Sequence, residues 1–339
     1  MIFFGICIDV FLGSSEVEQV AVNHWVGGSS PSRGAIFVSA VIYPFMIIEA
    51  KSKTFLVGEY CVMCGGPAIL LCTDPQFQLL IQNNINNSDS IISGISKQSP
   101  TFEFYQANRN SFRNLSIKFI DPHKGMGGFG ASSAQFVLIY KLYKQLQKQT
   151  KKSEIDSETE IDIAAFLETY RELFGQGHSI KPSGADCVAQ IHNNHIYFNS
   201  SNNSVIHLNW NFKNIDFLIF RTGYKIATYK HLKNISPDFL YKNCDQLSKI
   251  VDKVFKAWIS DEIYSFSKGI MEFFFTLDEL NLVTTETKKL VEQILKIDGV
   301  LAAKGCGAMS ADTIVVIFEK QSKNNIQKMI KNIIKIKAD

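Results

Sequence analysis

The sequence predicts an α+β fold in two lobes. Three observations predict it. The length, 339 residues, suggests about two domains at roughly 150 residues each. Strand-like runs followed by helical ones recur in two successive blocks. Between the blocks, residues 200–214 form a polar stretch that serves as a boundary. With 46% hydrophobic and 20% charged residues, the chain can bury a sizeable core. The charge sum, 35 basic against 32 acidic residues, is +3 and argues by itself for neither a nucleic acid nor a membrane surface as partner. Glycine, proline and cysteine are not in excess, which excludes collagen-like, coiled-coil and disulfide-scaffold classes.

The elements follow in order from Met46. Residues 54–57, 77–82 and 116–120 are rich in strand formers. Gly58 and Gly65-Gly66-Pro67 punctuate the first hairpin-like region. Residues 83–114, rich in Asn, Ser and Gln, read as an exposed excursion. Residues 132–148 place Phe136, Ile139, Tyr140 and Tyr143 at helical spacing. A polar linker, 149–160, precedes a second helix that runs to about Phe174. Strands are expected at 195–199 and 216–221, and a largely helical stretch at 236–296. The end reads strand (300–304), Gly-rich turn (305–311), strand (313–318) and helix (324–336).

The seven cysteines are irregularly spaced, as expected of reduced thiols, and Cys61-x-x-Cys64 lacks the second pair that a structural zinc site needs. No stretch approaches the ~18–20 uninterrupted apolar residues of a spanning helix. The nearest, 35–48, is short and contains Pro44. The first 45 residues fit the rest poorly. Residues 13–36 resemble the conceptual translation of a transfer-RNA gene, with Gly28-Ser29-Ser30-Pro31 as the string that a T-arm sequence encodes. The expectation is that residues 1–45 are a non-native extension without function and that translation starts at Met46. The alternative is a genuine extension or membrane anchor.

Four segments carry chemistry. Gly125-Met126-Gly127-Gly128-Phe129-Gly130-Ala131-Ser132-Ser133-Ala134 leads into a helix. Glycines let the backbone approach a ligand, and loop and helix N–H groups together form an anion site. Ser132 and Ser133 can cap the helix or reach a phosphate-bound magnesium ion. No Gly-Lys-Ser/Thr closes the loop, so it is not a Walker loop. Lys181-Pro182-Ser183-Gly184-Ala185-Asp186-Cys187 is a tight turn in which Asp186 either caps a helix or orients a substrate hydroxyl. Lys304-Gly305-Cys306-Gly307-Ala308-Met309-Ser310 is a Gly-rich turn between strands. Lys51-Ser52-Lys53, with Gly58-Glu59-Tyr60 after it, places a lysine just before a buried strand.

In this order the four segments resemble the GHMP kinases, the family of galactokinase, homoserine kinase, mevalonate kinase and phosphomevalonate kinase. The resemblance runs from Met46 to the C-terminus. It implies a two-lobed fold, with a ribosomal-protein-S5-like N-terminal lobe over residues 46–205 and a ferredoxin-like C-terminal lobe over 206–339. It implies ATP and Mg2+ as cofactors and phosphorylation of a small acceptor, mevalonate slightly ahead of phosphomevalonate. Lys53 falls on the family lysine, although the Pro-Gly before it is replaced. The intact Pro182-Ser183-Gly184-x-Asp186 places the catalytic aspartate at Asp186. Gly125, Gly127, Gly128, Gly130, Ala131, Ser132 and Ser133 would hold the nucleotide. One alignment puts the magnesium serine at Ser132 and a one-residue shift at Ser133; Glu172, with Glu168 in reserve, is the acidic magnesium ligand. Glu59, Ser183, Gly184, Thr228, Gly305 and Gly307 would contact substrate, the last two in a degraded form of the family's Gly-Ala-Gly-Gly-Gly. A cytoplasmic monomer or homodimer with no nucleic-acid or membrane partner is expected. The ranked alternatives are phosphomevalonate kinase, diphosphomevalonate decarboxylase and an inactive ligand-binding member.

Overall fold

The computed structural model describes residues 45–84, 89–125, 127–150, 161–176, 180–223 and 235–336. Residues 1–44, with the transfer-RNA-like segment, and Thr228 lie outside them.

The first sheet is organised around one long strand. β1 (Met46–Val57) alternates from Ala50 onward, with Ala50, Ser52, Thr54 and Leu56 buried, while Lys51, Lys53 and Phe55 stay partly exposed on the other face. β2 (Pro67–Asn83) pairs antiparallel with β1 along one edge, from Met46↔Ile81 to Val57↔Ile69. Its other edge is divided: β4 (Leu115–Ile120) takes residues 78–83 and β5 (His195–Asn199) takes 67–70. β3 (Ile91–Ser93) runs parallel to β4, and β6 (Ser204–Leu208) pairs with β5, completing six strands. Four helices belong to this half: α1 (Pro100–Ala107), α2 (Ala131–Thr150), α3 (Ile163–Phe174) and α4 (Ala185–His192). Their core is aromatic. The Phe136 ring lies 5.3 Å from Phe166 and 5.5 Å from Tyr170.

The second sheet has the order β7-β9-β8, antiparallel throughout: β7 (Ile215–Arg221), β8 (Val300–Cys306) and β9 (Thr313–Glu319). Central β9 is buried from Thr313 to Phe318, as its run of β-branched residues requires. Helices α5 (Pro237–Ile259), α6 (Ile263–Glu279), α7 (Thr285–Ile294) and α8 (Lys323–Ile336) accompany it. Ser236 and Thr284 cap α5 and α7 by accepting from Phe239 N and Thr287 N. Val315, Ile317, Trp258 and Phe266 share one core with Leu56 and Leu71 of the first sheet, so the two sheets rest on common apolar ground.

Two expectations change. Residues 83–114 hold β3 and α1, and Phe104, Tyr105 and Phe112 are buried. These aromatics are scattered among polar residues without a sustained period, so only tertiary packing defines their inside. The polar stretch 200–214 contains β6, whose hydrogen bonds go to β5 and whose face is mostly exposed. Among the described residues no helix is long and apolar enough to cross a membrane.

Candidate functional site

The Gly-rich loop is shaped from both ends. At its start Asp121 accepts hydrogen bonds from His123 N and Gly125 N, both at 2.8 Å. At its end Gly130 is the last residue before α2, and its carbonyl accepts from Ala134 N, Ser133 Oγ and the buried Gln190 Nε2. The helix therefore starts with the amides of Ala131, Ser132 and Ser133 unpaired inside it, an anion-binding terminus. Gly130 has φ +86°, and a Cβ there would stand 2.8 Å from Lys53 Cε. Gly128 has φ +98°, and its Cβ would stand 2.6 Å from Thr313 Cγ2. Only glycine lets the loop pass between Lys53 on one side and the start of β9 on the other. The main chain closes the contact, since Lys53 N donates to Phe129 O at 3.0 Å.

Lys53 Nζ lies 3.6 Å from Asp186 Oδ2, with side-chain exposures of 13% and 26%. Both groups are thus half-sheltered yet open to a ligand. Asp186 sits in the first turn of α4. The residue before that helix is Gly184, so Asp186 is not the cap, although its Oδ1 accepts from Cys187 N at 3.1 Å. Ser183 Oγ accepts from Ala185 N, and Arg171 Nη2 donates to Ser183 O at 3.0 Å. Gln190 adds a clasp: its Nε2 also donates to Lys51 O at 3.0 Å, joining α4, β1 and the loop.

The C-terminal turn reaches the same place through a buried ion pair. Lys304 is fully buried and its Nζ donates to Glu59 Oε1 and, at 2.8 Å, to Gly305 O. Burial raises the Glu59 pKa against the pull of Lys304. Burial works to lower that of Lys304, but Cys306 and Glu59 outweigh it, and the net direction is up. We take the pair as ionised, because Lys304 has a carboxylate and a carbonyl to hold its charge. Tyr60 Oη accepts from Met309 N at 3.3 Å. Gly305 is buried in β8 and Gly307 opens the turn. Met309 and Ser310 follow with φ +53° and +55°, left-handed conformations that favour glycine.

Lys53, Gly130 and Asp186 are therefore brought together, as are Glu59 with the β8 turn and Gly128 with β9. Ser132 is exposed on the first turn of α2, whereas Ser133 is buried and already donates to Gly130 O. Glu172 stands apart. On α3, Phe166, Leu167 and Tyr170 face inward, and Glu168 and Glu172 are exposed on the opposite face. There they line a cleft with Asp162, Arg171 and Lys181 that includes no loop residue.

Sequence reasoning missed three participants. Lys304 was one, hidden because its partner lies 245 residues away. Gln190 was another. The third is His123, whose ring stacks on Phe129 at 4.1 Å and whose Nε2 lies 2.6 Å from Ser52 Oγ. Burial lowers its pKa. The only sequence signal for His123 was its place in the turn that enters the Gly-rich loop.

The donor set fits a nucleotide triphosphate: a glycine cradle, unpaired helix amides and one lysine. Among the described residues no cluster of three or more His, Cys, Asp or Glu could hold a metal ion. A magnesium ion carried by phosphates needs only one or two protein oxygens, and Ser132 is placed to supply one.

No protein-family profile matches the chain, and no curated protein matches it by sequence. Solved structures do match. Streptococcus pneumoniae phosphomevalonate kinase, in complex with phosphomevalonate and AMPPNP, has a TM-score of 0.66 at 15% identity over 85% of this chain and 97% of that one. L. major mevalonate kinase with R-mevalonate has a TM-score of 0.63 at 16% identity, covering 84% and 90%. Lactococcus lactis galactokinase with galactose has a TM-score of 0.69 at 10% identity, covering 87% and 90%. The chain has the GHMP-kinase fold. At these identities the likeness is one of fold. Within that fold, the Gly-rich loop, the Asp186 turn and the β8–β9 turn are the segments that meet at the site described above.

Proposed function

We propose that this protein is an ATP-dependent phosphotransferase acting on a small acceptor of the mevalonate pathway, with mevalonate as the acceptor. The observation that carries the reading is the Lys53–Asp186 pair at the foot of the Gly-rich loop. In this reading the loop and the amides of Ala131, Ser132 and Ser133 hold the β- and γ-phosphates. Asp186 orients the acceptor hydroxyl and takes its proton as the oxygen attacks phosphorus. Lys53, close to both carboxylate and loop, holds Asp186 in position and balances charge gathering on the transferred group. Ser132 would hold a magnesium ion, which supplies charge neutralisation at the phosphates. Glu59, set by Lys304, and the Ser183–Gly184 turn form the acceptor side; Thr228 is proposed for that side from the sequence alone. The lobes are proposed to divide within the polar stretch 200–214, after β6 ends at Leu208 rather than at residue 205.

The test is ADP release by the purified protein, with mevalonate and phosphomevalonate assayed in parallel. ADP formed only with acceptor supports the reading, and the faster acceptor names the substrate. No acceptor-dependent ADP with either would refute it.

A further inference from the structure

Among the described residues β1 pairs with no strand but β2. Alternate residues of an antiparallel strand turn their peptide groups to opposite edges. Glu49, Lys51 and Lys53 turn theirs away from β2, where other groups meet them. Lys51 N donates to Asn193 Oδ1 at 2.8 Å, and Asn193 Nδ2 donates to Glu49 O at 3.5 Å. Lys51 O accepts from Gln190 Nε2 at 3.0 Å, and Lys53 N donates to Phe129 O at 3.0 Å. Two side-chain amides and the Gly-rich loop thus stand where a further strand would pair. Lys51 itself has no partner in the ladder, whose register passes from Ala50↔Phe77 to Ser52↔Thr73.

Both amides belong to the helix that carries Asp186. Residues 186 and 190 lie one turn apart on one face of α4, and Asn193 is its C-cap, with φ +51°. Gln190 is fully buried, and its Nε2 also donates to Gly130 O at 3.1 Å. With two carbonyls to meet, the amide can face only this way. Its Oε1 is left buried without a hydrogen-bond partner among the described residues. An apolar side chain of similar length would not carry that cost. What Gln190 contributes is its donors, which join the strand of Lys53, the helix of Asp186 and the last residue of the loop. A Cβ on Gly130 would stand 2.8 Å from Lys53 Cε and 3.1 Å from Gln190 Nε2, so lysine stem and amide crowd the same point of the loop.

We propose that Gln190 is a positioning residue for phosphoryl transfer. Its bonds to Lys51 O and Gly130 O set the reach from Asp186 to the loop, and Asn193 pins the end of α4 to the same strand. The proposal rests on the kinase reading and adds to it the group that keeps acid and loop in register. The loop does not depend on Gln190 for its shape, because Gly130 O also accepts from Ala134 N and Ser133 Oγ. Loss of the amide therefore loosens α4 from β1 while nucleotide binding persists.

The test compares the full-length protein with Gln190→Met, which keeps the length and removes the amide, and Gln190→Asn, which keeps the amide and shortens its reach. Steady-state ADP release is measured beside crystal structures of each protein. In Gln190→Met, kcat per folded molecule is expected to fall about 10²-fold, the cost of roughly 1 Å of misplacement. KM for ATP stays within about threefold, and the Lys53 Nζ–Asp186 Oδ2 separation grows beyond 3.6 Å. Gln190→Asn can keep one of the two bonds and falls between the native protein and Gln190→Met. If Gln190→Met fails to fold, Gln190→Asn carries the test with a loss of about tenfold in kcat. A kcat within about threefold of native in the variants, a loss expressed mainly in KM for ATP, or an unchanged separation overturns the proposal. A native protein without acceptor-dependent ADP release refutes the kinase reading instead. The separation needs no turnover and still decides whether Gln190 sets it.

Discussion

Lys53 Nζ and Asp186 Oδ2 lie 3.6 Å apart, one presented by the partly exposed face of β1 and the other by the first turn of α4. The same lysine stem occupies the space that a side chain at residue 130 would need. Loop, lysine and carboxylate are thus one mechanical unit, and each can be perturbed separately.

Asp186→Asn keeps the shape and removes the proton acceptor. Turnover should fall by about 10²–10³, with thermal stability and nucleotide affinity nearly unchanged. Steady-state kinetics beside a nucleotide-binding titration check this. Turnover close to that of the native protein would remove Asp186 from the chemistry.

Gly130→Ala and Gly125→Ala separate backbone strain from displacement of Lys53. Both positions have positive φ, +86° and +75°, so each alanine costs about 1–2 kcal/mol of strain. Only at Gly130 does the new methyl meet Lys53, whereas nothing lies within 4 Å at Gly125. At saturating ATP, kcat should drop at least tenfold for Gly130→Ala and stay within about threefold for Gly125→Ala.

Lys304→Met leaves the Glu59 carboxylate buried without its partner, and breaking such a pair costs about 3–5 kcal/mol. A Glu59→Gln, Lys304→Met double variant should recover part of that loss. Urea midpoints of the single and double variants give the comparison. A midpoint unchanged in Lys304→Met would mean the pair contributes nothing.

The turn after β8 predicts a gain. Met309 and Ser310 hold left-handed backbones at φ +53° and +55°. Met309→Gly should relieve about 1 kcal/mol of strain and raise the melting temperature. A lower melting temperature would show that the methionine side chain contributes more by packing than its backbone costs.

His195 predicts a pH dependence. Burial first, then Lys51, pushes its pKa down from 6.5 to about 4, and Nδ1 accepts from Cys72 N at 3.0 Å. Between those values the unfolded chain binds a proton that the folded chain refuses. The stabilisation is therefore complete above pH ~6.5 and is lost as pH falls toward 4. The loss amounts to roughly 3 kcal/mol. Urea denaturation at pH 7 and 4.5 should show a smaller drop for His195→Gln than for the native protein.

Much of the fold is legible where a period is sustained. Phe136, Ile139 and Tyr140 mark α2, and the Val-Val-Ile run marks β9. Phe104 and Phe112 gave no such period, and their burial arises from packing on α2 and its neighbours. At the site, Gly-rich turns could be read because the backbone conformations they need restrict residue choice. Lys304 could not, since a lysine before a turn reads as solvated until Glu59 is brought to it. For Glu172 the contrary signal was present: with Phe166 and Tyr170 inward, residue 172 points outward on a helix.

The most direct measurement is a crystal structure of the protein with a non-hydrolysable ATP analogue. The account predicts the γ-phosphate against the amides of Ala131–Ser133, facing Lys53 and Asp186. A triphosphate bound away from the Gly-rich loop, with Asp186 out of reach, would contradict it.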